Sequence, residues 1–207
     1  MQRLFLTGHG ETEWNVEERM QGRKNSLLTK RGKEEAAWLS QRLSGENINL
    51  IISSPSPRTL ETAEIIRADR DIKIIQDEHF LEMDAGDWEG RKIDEIKQEY
   101  PEKSYLFWHQ PHLFISKNGE DFYQVRERVL PRLKYLLNQY QDKNLLIVSH
   151  PVVLKVLLSY FEKRPLEQLW EGKQILGASL STIEINGDHS RIIQYADMKH
   201  FRVMPFK

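Results

Sequence analysis

A histidine between two glycines, His9, is the residue whose surroundings most directly suggest chemistry in this chain. The apolar run of residues 4–6 precedes it, and such a run is typical of a buried strand. Glycines on both sides remove side-chain bulk, so another group can approach the imidazole closely. Because a neutral imidazole nitrogen is a nucleophile, the pattern predicts a reacting histidine at a strand end. A purely structural histidine is the alternative.

A second candidate is Arg58, in the first turn of a predicted helix, where the helix dipole disfavours a cation. Its guanidinium is a planar fork of donors that suits phosphate oxygens. A cation placed against the dipole indicates an anionic partner nearby, whereas the alternative is a solvated arginine. An acidic loop also holds three carboxylates, Glu82, Asp84 and Asp87, which a solvated surface loop would equally explain.

Composition excludes several classes of function. The chain has 207 residues, enough for a single domain (1–207), with 30 Lys and Arg against 31 Asp and Glu. A net charge near zero argues against binding nucleic acid through bulk electrostatics. The lack of cysteine excludes disulfides and thiolate metal sites. No signal peptide or membrane-spanning run is evident, so we expect a cytoplasmic location and no membrane partner.

Short apolar runs alternate with helical patterns along the chain. Strands are predicted over residues 3–7, 50–53, 73–75, 145–149, 179–185 and 191–196. Helices are predicted over residues 30–43, 57–68, 91–100, 121–140, 151–161 and 165–170. Thr29 is the expected cap of the first helix, and the helix over 121–140 must start with Pro131 or bend around it.

This alternation predicts an α/β fold, a doubly wound, largely parallel sheet with helices on both faces. Ligands of such sheets bind outside the carboxyl ends of the strands. His9 follows the first predicted strand, Ser54 the second, and His150 the strand over 145–149. We therefore expect these three positions to converge on one pocket.

Residues 100–123 differ from the rest of the chain, since they are rich in aromatic residues and are broken by two prolines and a glycine. The segment is predicted to be loop-like. At the ligand-bearing side of the sheet it would be a lid or specificity insertion. The alternative is that its aromatic side chains fill the core of the domain, and both roles are compatible.

Four motifs in order resemble those of the histidine phosphatase (phosphoglycerate mutase-like) superfamily. They lie at residues 8–15 (Gly-His-Gly-Glu-Thr-Glu-Trp-Asn), 53–63, 81–90 and 148–151 (Val-Ser-His-Pro). The resemblance covers residues 4 to about 196. It implies a phosphoglycerate mutase-like fold.

The resemblance also implies roles for eight residues. His9 would carry the phosphoryl group and Glu82 would protonate the leaving oxygen, while Arg58 and His150 would bind phosphoryl oxygens. The loop that lines the phosphate would contribute four substrate-binding residues, Asn15, Arg19, Gln21 and Gly22. We expect a small phosphomonoester substrate, and no metal or cofactor.

Two positions depart from the family pattern. The family carries arginine directly before the nucleophilic histidine, where this chain has Gly8, and typically glycine after the second histidine, where it has Pro151. The expected function is hydrolysis of phosphomonoesters through a phosphohistidine, weakened by the absence of that arginine. The alternatives are a phosphoglycerate mutase and a catalytically silent protein that binds a phosphate ligand.

Overall fold

The computed structural model describes residues 1–202. Six strands form one sheet: β1 (Gln2–Gly8), β2 (Leu50–Ser53), β3 (Lys73–Gln76), β4 (Leu145–Ser149), β5 (Leu180–Asn186) and β6 (His189–Asp197). Seven α-helices are described: α1 (Glu13–Val16), α2 (Lys30–Arg42), α3 (Pro57–Arg67), α4 (Ile93–Glu99), α5 (Pro101–His109), α6 (Phe122–Gln139) and α7 (Pro151–Phe161). Within these residues, no helix has the length and apolarity that crossing a membrane requires.

The strand order is β3-β2-β4-β1-β5-β6. The first three pairings are parallel and the two that involve β5 are antiparallel. Alternate residues of the central strands bury themselves on opposite faces, as the period of a strand requires. Leu6 and Ile147 pack with α6 and α7, whereas Phe5 and Leu146 pack with α2 and α3. The predicted α/β sheet with helices on both faces is confirmed.

The sheet brings together the three strand ends that carry the chemistry. Since β2, β4 and β1 are neighbours and parallel, their carboxyl ends meet at one edge. Gly8 lies beside Ser149 and Ser53 beside Val148 in the ladder. The residues that follow these strands therefore lie together as predicted, although of His9, Ser54 and His150 only His9 lines the cavity at this edge.

The loop prediction for residues 100–123 is wrong in its first half, where residues 101–109 form α5 and Pro111–Leu113 form a short 3₁₀ turn. Residues 114–121 form no helix or strand, as predicted, and α6 begins at Phe122. Pro101 begins α5 as its first residue, where a missing N–H costs nothing. Phe107 and Phe114 are buried in the core, so core filling accounts for part of the aromatic content.

Two further helix predictions need correction. Residues 165–170 contain a 3₁₀ turn at Leu166–Gln168 and no α-helix, and α4 begins at Ile93 rather than at residue 91. Helix α6 starts at Phe122 and continues through Pro131. This proline lies on the exposed side of α6, where water can satisfy the carbonyl that loses its donor.

Candidate active site

His9 follows β1 and is held at both its backbone and its ring. Its N–H donates to the carbonyl oxygen of Ser149 over 3.1 Å, and Nδ1 lies 2.8 Å from the carbonyl oxygen of Gly10. Because a carbonyl oxygen only accepts, Nδ1 carries the proton of the neutral ring, and Nε2 keeps its lone pair. Burial, followed by the charge of Arg58, lowers the pKa of His9 to about 3. The ring is thus a neutral nucleophile near pH 7.

Arg58, the second residue of α3, is a buried cation, with only 1% of its surface exposed. Its guanidinium donates to the carbonyl oxygens of Gly22 (2.7 Å) and Lys24 (2.9 Å). Burial lowers the pKa of Arg58 to about 10, which leaves it charged at neutral pH. Its Nε is also buried and has no hydrogen-bond acceptor within residues 1–202. A buried cation with an unused donor is suited to an anionic ligand.

His150, directly after β4, is completely buried, and its ring centroid lies 5.4 Å from that of His9. Its Nδ1 lies 3.1 Å from Nη2 of Arg58. A guanidinium only donates, so Nδ1 accepts and the ring proton is on Nε2, which donates to Oγ of Ser54 over 2.8 Å. Burial, and then the charge of Arg58, lowers the pKa of His150, so this ring is also neutral.

Glu82 is a buried carboxyl group at the N-terminus of α7. Its Oε1 accepts from the N–H of Met83 (2.9 Å), and Oε2 accepts from the N–H of Val152 (3.2 Å), the second residue of the helix. Burial nevertheless raises the pKa of Glu82 to about 7, against these hydrogen bonds and the charge of Arg58. A carboxyl group with this pKa both donates and accepts a proton near neutral pH.

A cavity of about 650 Å³ opens at this edge of the sheet. His9 and Glu82 line it together with three of the four predicted substrate-binding residues, Asn15, Arg19 and Gln21. Two predicted catalytic groups and three predicted binding groups thus face the same space, whereas Arg58 and His150 are buried next to it and do not line it.

The fourth predicted binding residue, Gly22, lies behind Arg58 and accepts a hydrogen bond from it. A Cβ at Gly22 would lie 2.8 Å from the carbonyl oxygen of Met83, so the backbone there favours glycine. Asn15 also stabilises the start of α1, because its Oδ1 accepts from the N–H of Thr12 in a capping box.

An aromatic wall of the cavity is formed by Phe107, Trp108 and Trp170. The first two belong to the aromatic-rich segment 100–123, which the sequence indicated as a lid or specificity insertion.

The cavity residues that were not identified from the sequence include Glu35, Lys155 and Trp170. Of these three, Lys155 had a signal, since it is a single charge within the apolar run of residues 152–158. Glu35 and Trp170 come from distant parts of the chain that the fold brings to the cavity.

The two departures from the family pattern fit the local packing. A Cβ on Gly8 would lie 2.7 Å from the carbonyl oxygen of Gly177, so loop backbone occupies the space beside residue 8. Gly177 itself has a φ of +37°, and a Cβ there would lie 2.6 Å from Oε2 of Glu35. Pro151 is the first residue of α7 and lines the cavity.

Neutral histidines, a buried arginine and a carboxyl group that titrates near pH 7 form the set expected of an enzyme that transfers phosphoryl groups through histidine. A sequence profile of the histidine phosphatase superfamily (branch 1) matches residues 4–198. The chain belongs to this superfamily.

Similar proteins include both phosphatases and a mutase-like protein. The solved structure of Bacillus stearothermophilus YhfR is 42% identical, with a TM-score of 0.93, and the match covers 97% of this chain and 99% of that one. Phosphoserine phosphatase 1 of Hydrogenobacter thermophilus is 32% identical over 82% of this chain and 81% of its own length. A probable phosphoglycerate mutase, GpmB, of Salmonella arizonae is 35% identical over 77% of this chain and 74% of its own length.

Proposed function

We propose that this chain is a phosphomonoester hydrolase that forms a phosphohistidine on His9. The observation that carries the proposal is the tautomer of His9. Its Nδ1–H donates to the carbonyl oxygen of Gly10, so the lone pair of Nε2 is free to attack phosphorus. The nearby charge of Arg58 helps to keep the ring neutral. Membership of a superfamily with phosphatase relatives supports it.

The reaction proceeds in two displacements. In the first, Nε2 of His9 forms a bond to phosphorus, the ester P–O bond breaks, and the leaving oxygen takes the proton of Glu82. In the second, water attacks phosphorus, the P–N bond breaks, and the ionised Glu82 takes the proton of the water. The pKa of Glu82, about 7, suits both the acid and the base role.

Arg58, which is buried next to the cavity and does not line it, supplies positive charge for the phosphoryl oxygens. His150 adds little charge, because burial and Arg58 keep its pKa low. No guanidinium stands at position 8, where Gly8 packs against Gly177. We propose that phosphoryl transfer is slower than it would be with a second arginine there.

The leaving group lies against the aromatic wall of Phe107, Trp108 and Trp170. Such a wall suits an apolar leaving group better than a small, doubly anionic acid. This favours hydrolysis over a mutase reaction, in which the enzyme must hold the acid while the phosphoryl group returns to it from the histidine. In this proposal α5, which carries Phe107 and Trp108, is the element that sets specificity.

The test is hydrolysis of p-nitrophenyl phosphate by the chain, by His9→Ala and by His189→Ala as the matched control. We expect turnover by the first and third proteins, and an acid-labile phosphoprotein in rapid-quench samples with ³²P-labelled substrate. Turnover equal to that of His9→Ala would contradict the proposal and favour a silent phosphate binder. Interconversion of phosphoglycerates that depends on a bisphosphate primer would favour a mutase.

A further inference from the structure

Lys155 is a buried cation of the cavity to which the proposed mechanism gives no role. It lies on α7, four residues after Pro151, and only 4% of its surface is exposed. Both residues line the cavity, which is consistent with a separation of one helical turn, about 6 Å along the axis. Along α7, Lys155 is therefore one turn further from His150 than Pro151 is.

The hydrogen bonds of Lys155 leave part of its donor capacity unused. Nζ donates to the carbonyl oxygens of Glu171 and Lys173, each over 3.0 Å. An ammonium group has three N–H donors, and within residues 1–202 no third oxygen or nitrogen accepts from Nζ, which otherwise faces only the ring of Tyr195, 6.0 Å from its centroid. The two carbonyls orient the group without neutralising its charge.

No carboxylate among the described residues forms an ion pair with Lys155. The acid whose charge acts on it, Glu162, is already paired with Arg164. Burial, and then the charge of Arg164, lowers the pKa of Lys155. Buried charges in proteins are normally paired, because an unpaired one loses its hydration without compensation. The carbonyls and the ring of Tyr195 carry no negative charge, so the contacts of Lys155 within residues 1–202 do not include a paired carboxylate.

We propose that Lys155 binds an anionic group, such as a carboxylate, at the end of the leaving group remote from the phosphate. The inference rests on the proposed hydrolase function and narrows its substrates to phosphomonoesters with an apolar body and a distal carboxylate. Trp170 belongs to the aromatic wall and directly precedes Glu171, one of the two residues whose carbonyls hold Nζ. The body of the substrate thus lies on the wall, and its carboxylate meets the ammonium.

The test compares two substrates that differ only in this charge, 4-(carboxymethyl)phenyl phosphate and its amide, 4-(carbamoylmethyl)phenyl phosphate. The unmodified chain should prefer the carboxylate in kcat/KM. In Lys155→Met the ratio of the two kcat/KM values should fall by about 10- to 100-fold, the range for a hydrogen bond between charged groups. Lys155→Arg should keep most of the preference.

Lys173→Met is the matched control, because Lys173 is exposed and belongs to the same turn. It should leave the ratio unchanged. If Lys155→Met lowers kcat/KM equally for both substrates, the residue only supports the 171–173 backbone, and the inference is wrong. Should Lys155→Met unfold, the same comparison is made with Lys155→Gln, whose amide keeps an N–H donor for the two carbonyls but carries no charge.

A binding arm separates this inference from the proposed hydrolase function. Both phosphates are titrated calorimetrically into His9→Ala and into His9→Ala/Lys155→Met. Tighter binding of the carboxylate that requires Lys155 supports the inference even if the chain hydrolyses neither compound. Equal affinity for the two phosphates overturns it, whatever the rate of hydrolysis.

Discussion

Arg58 determines which nitrogen of His150 carries the proton. Its Nη2 donates to Nδ1 of His150 over 3.1 Å, so the proton is on Nε2 and is donated to Ser54. The same guanidinium lowers the pKa of His9 and opposes the rise in the pKa of Glu82. One buried cation therefore influences the other three predicted catalytic groups.

Arg58→Ala is expected to reduce kcat/KM for p-nitrophenyl phosphate by about 30-fold to several thousand-fold. This corresponds to about 2–5 kcal/mol for one partner of a buried, hydrogen-bonded charge pair. Arg67→Ala, at the exposed end of the same helix, is the control and should retain full activity. A decrease below threefold in Arg58→Ala would show that the phosphate is held elsewhere.

The pH dependence of kcat/KM should follow Glu82 on its alkaline side. The acid must be protonated for the first displacement, so kcat/KM should fall as the pH rises through about 7. His9 should add no limb above pH 4, because its pKa of about 3 leaves it neutral there. A pH series on the chain and on Glu82→Gln tests this, and the variant should be slower by about 10²- to 10⁴-fold and lack the limb. An unchanged alkaline limb in Glu82→Gln would assign it to another group.

The stability of the protein should also depend on Glu82. Its pKa is about 7 in the folded state against 4.5 in the unfolded chain, so the folded state binds the proton more tightly. Protonated Glu82 therefore contributes on the order of 3 kcal/mol to the free energy of unfolding. This contribution is complete below pH 4.5 and is lost as the pH rises to about 7. Urea unfolding at pH 4.5 and pH 8 should therefore show Glu82→Gln gaining stability relative to the unmodified chain at the higher pH. An equal difference at both values would mean that Glu82 titrates normally.

Gly8→Ala should destabilise the fold by about 1–3 kcal/mol, because the new Cβ would lie 2.7 Å from the carbonyl oxygen of Gly177. Gly45→Ala is the matched control, since a Cβ there meets nothing within 4 Å. Thermal unfolding of the two variants checks the contrast. Equal unfolding temperatures would mean that the loop around Gly177 yields at little cost, and Gly8→Arg would then be a direct test of the missing guanidinium.

Much of the fold was predictable because local signals agreed with the tertiary contacts. The run of residues 145–149 is continuously apolar, as a central strand covered on both faces requires, and β4 has these bounds. Thr29 caps α2 as predicted, with its side chain accepting from the N–H of Gly32. Such elements depend on periodicity and on caps that lie within a few residues.

The segment of residues 100–123 was mispredicted because its helix is short and bounded by proline. Nine residues in α5 give about two and a half turns, too few for a clear apolar period. Its stability comes from packing, since the ring of Phe107 lies 5.0–5.8 Å, between centroids, from Trp88, Phe114, Phe122 and Trp170. Trp88 and Trp170 lie outside the segment, so no local pattern contains these contacts.

The sequence by itself determined the family and the order of the candidate site residues along the chain, because each motif is local. It also indicated that these residues meet, because parallel strands place their carboxyl ends at one edge of the sheet. The tertiary structure alone decided the chemical state of those residues. The tautomers of His9 and His150, the pKa of Glu82 and the unpaired charge of Lys155 all depend on burial and on partners remote in the chain. Solvation and hydrogen bonding act through space, and a linear pattern does not contain those distances.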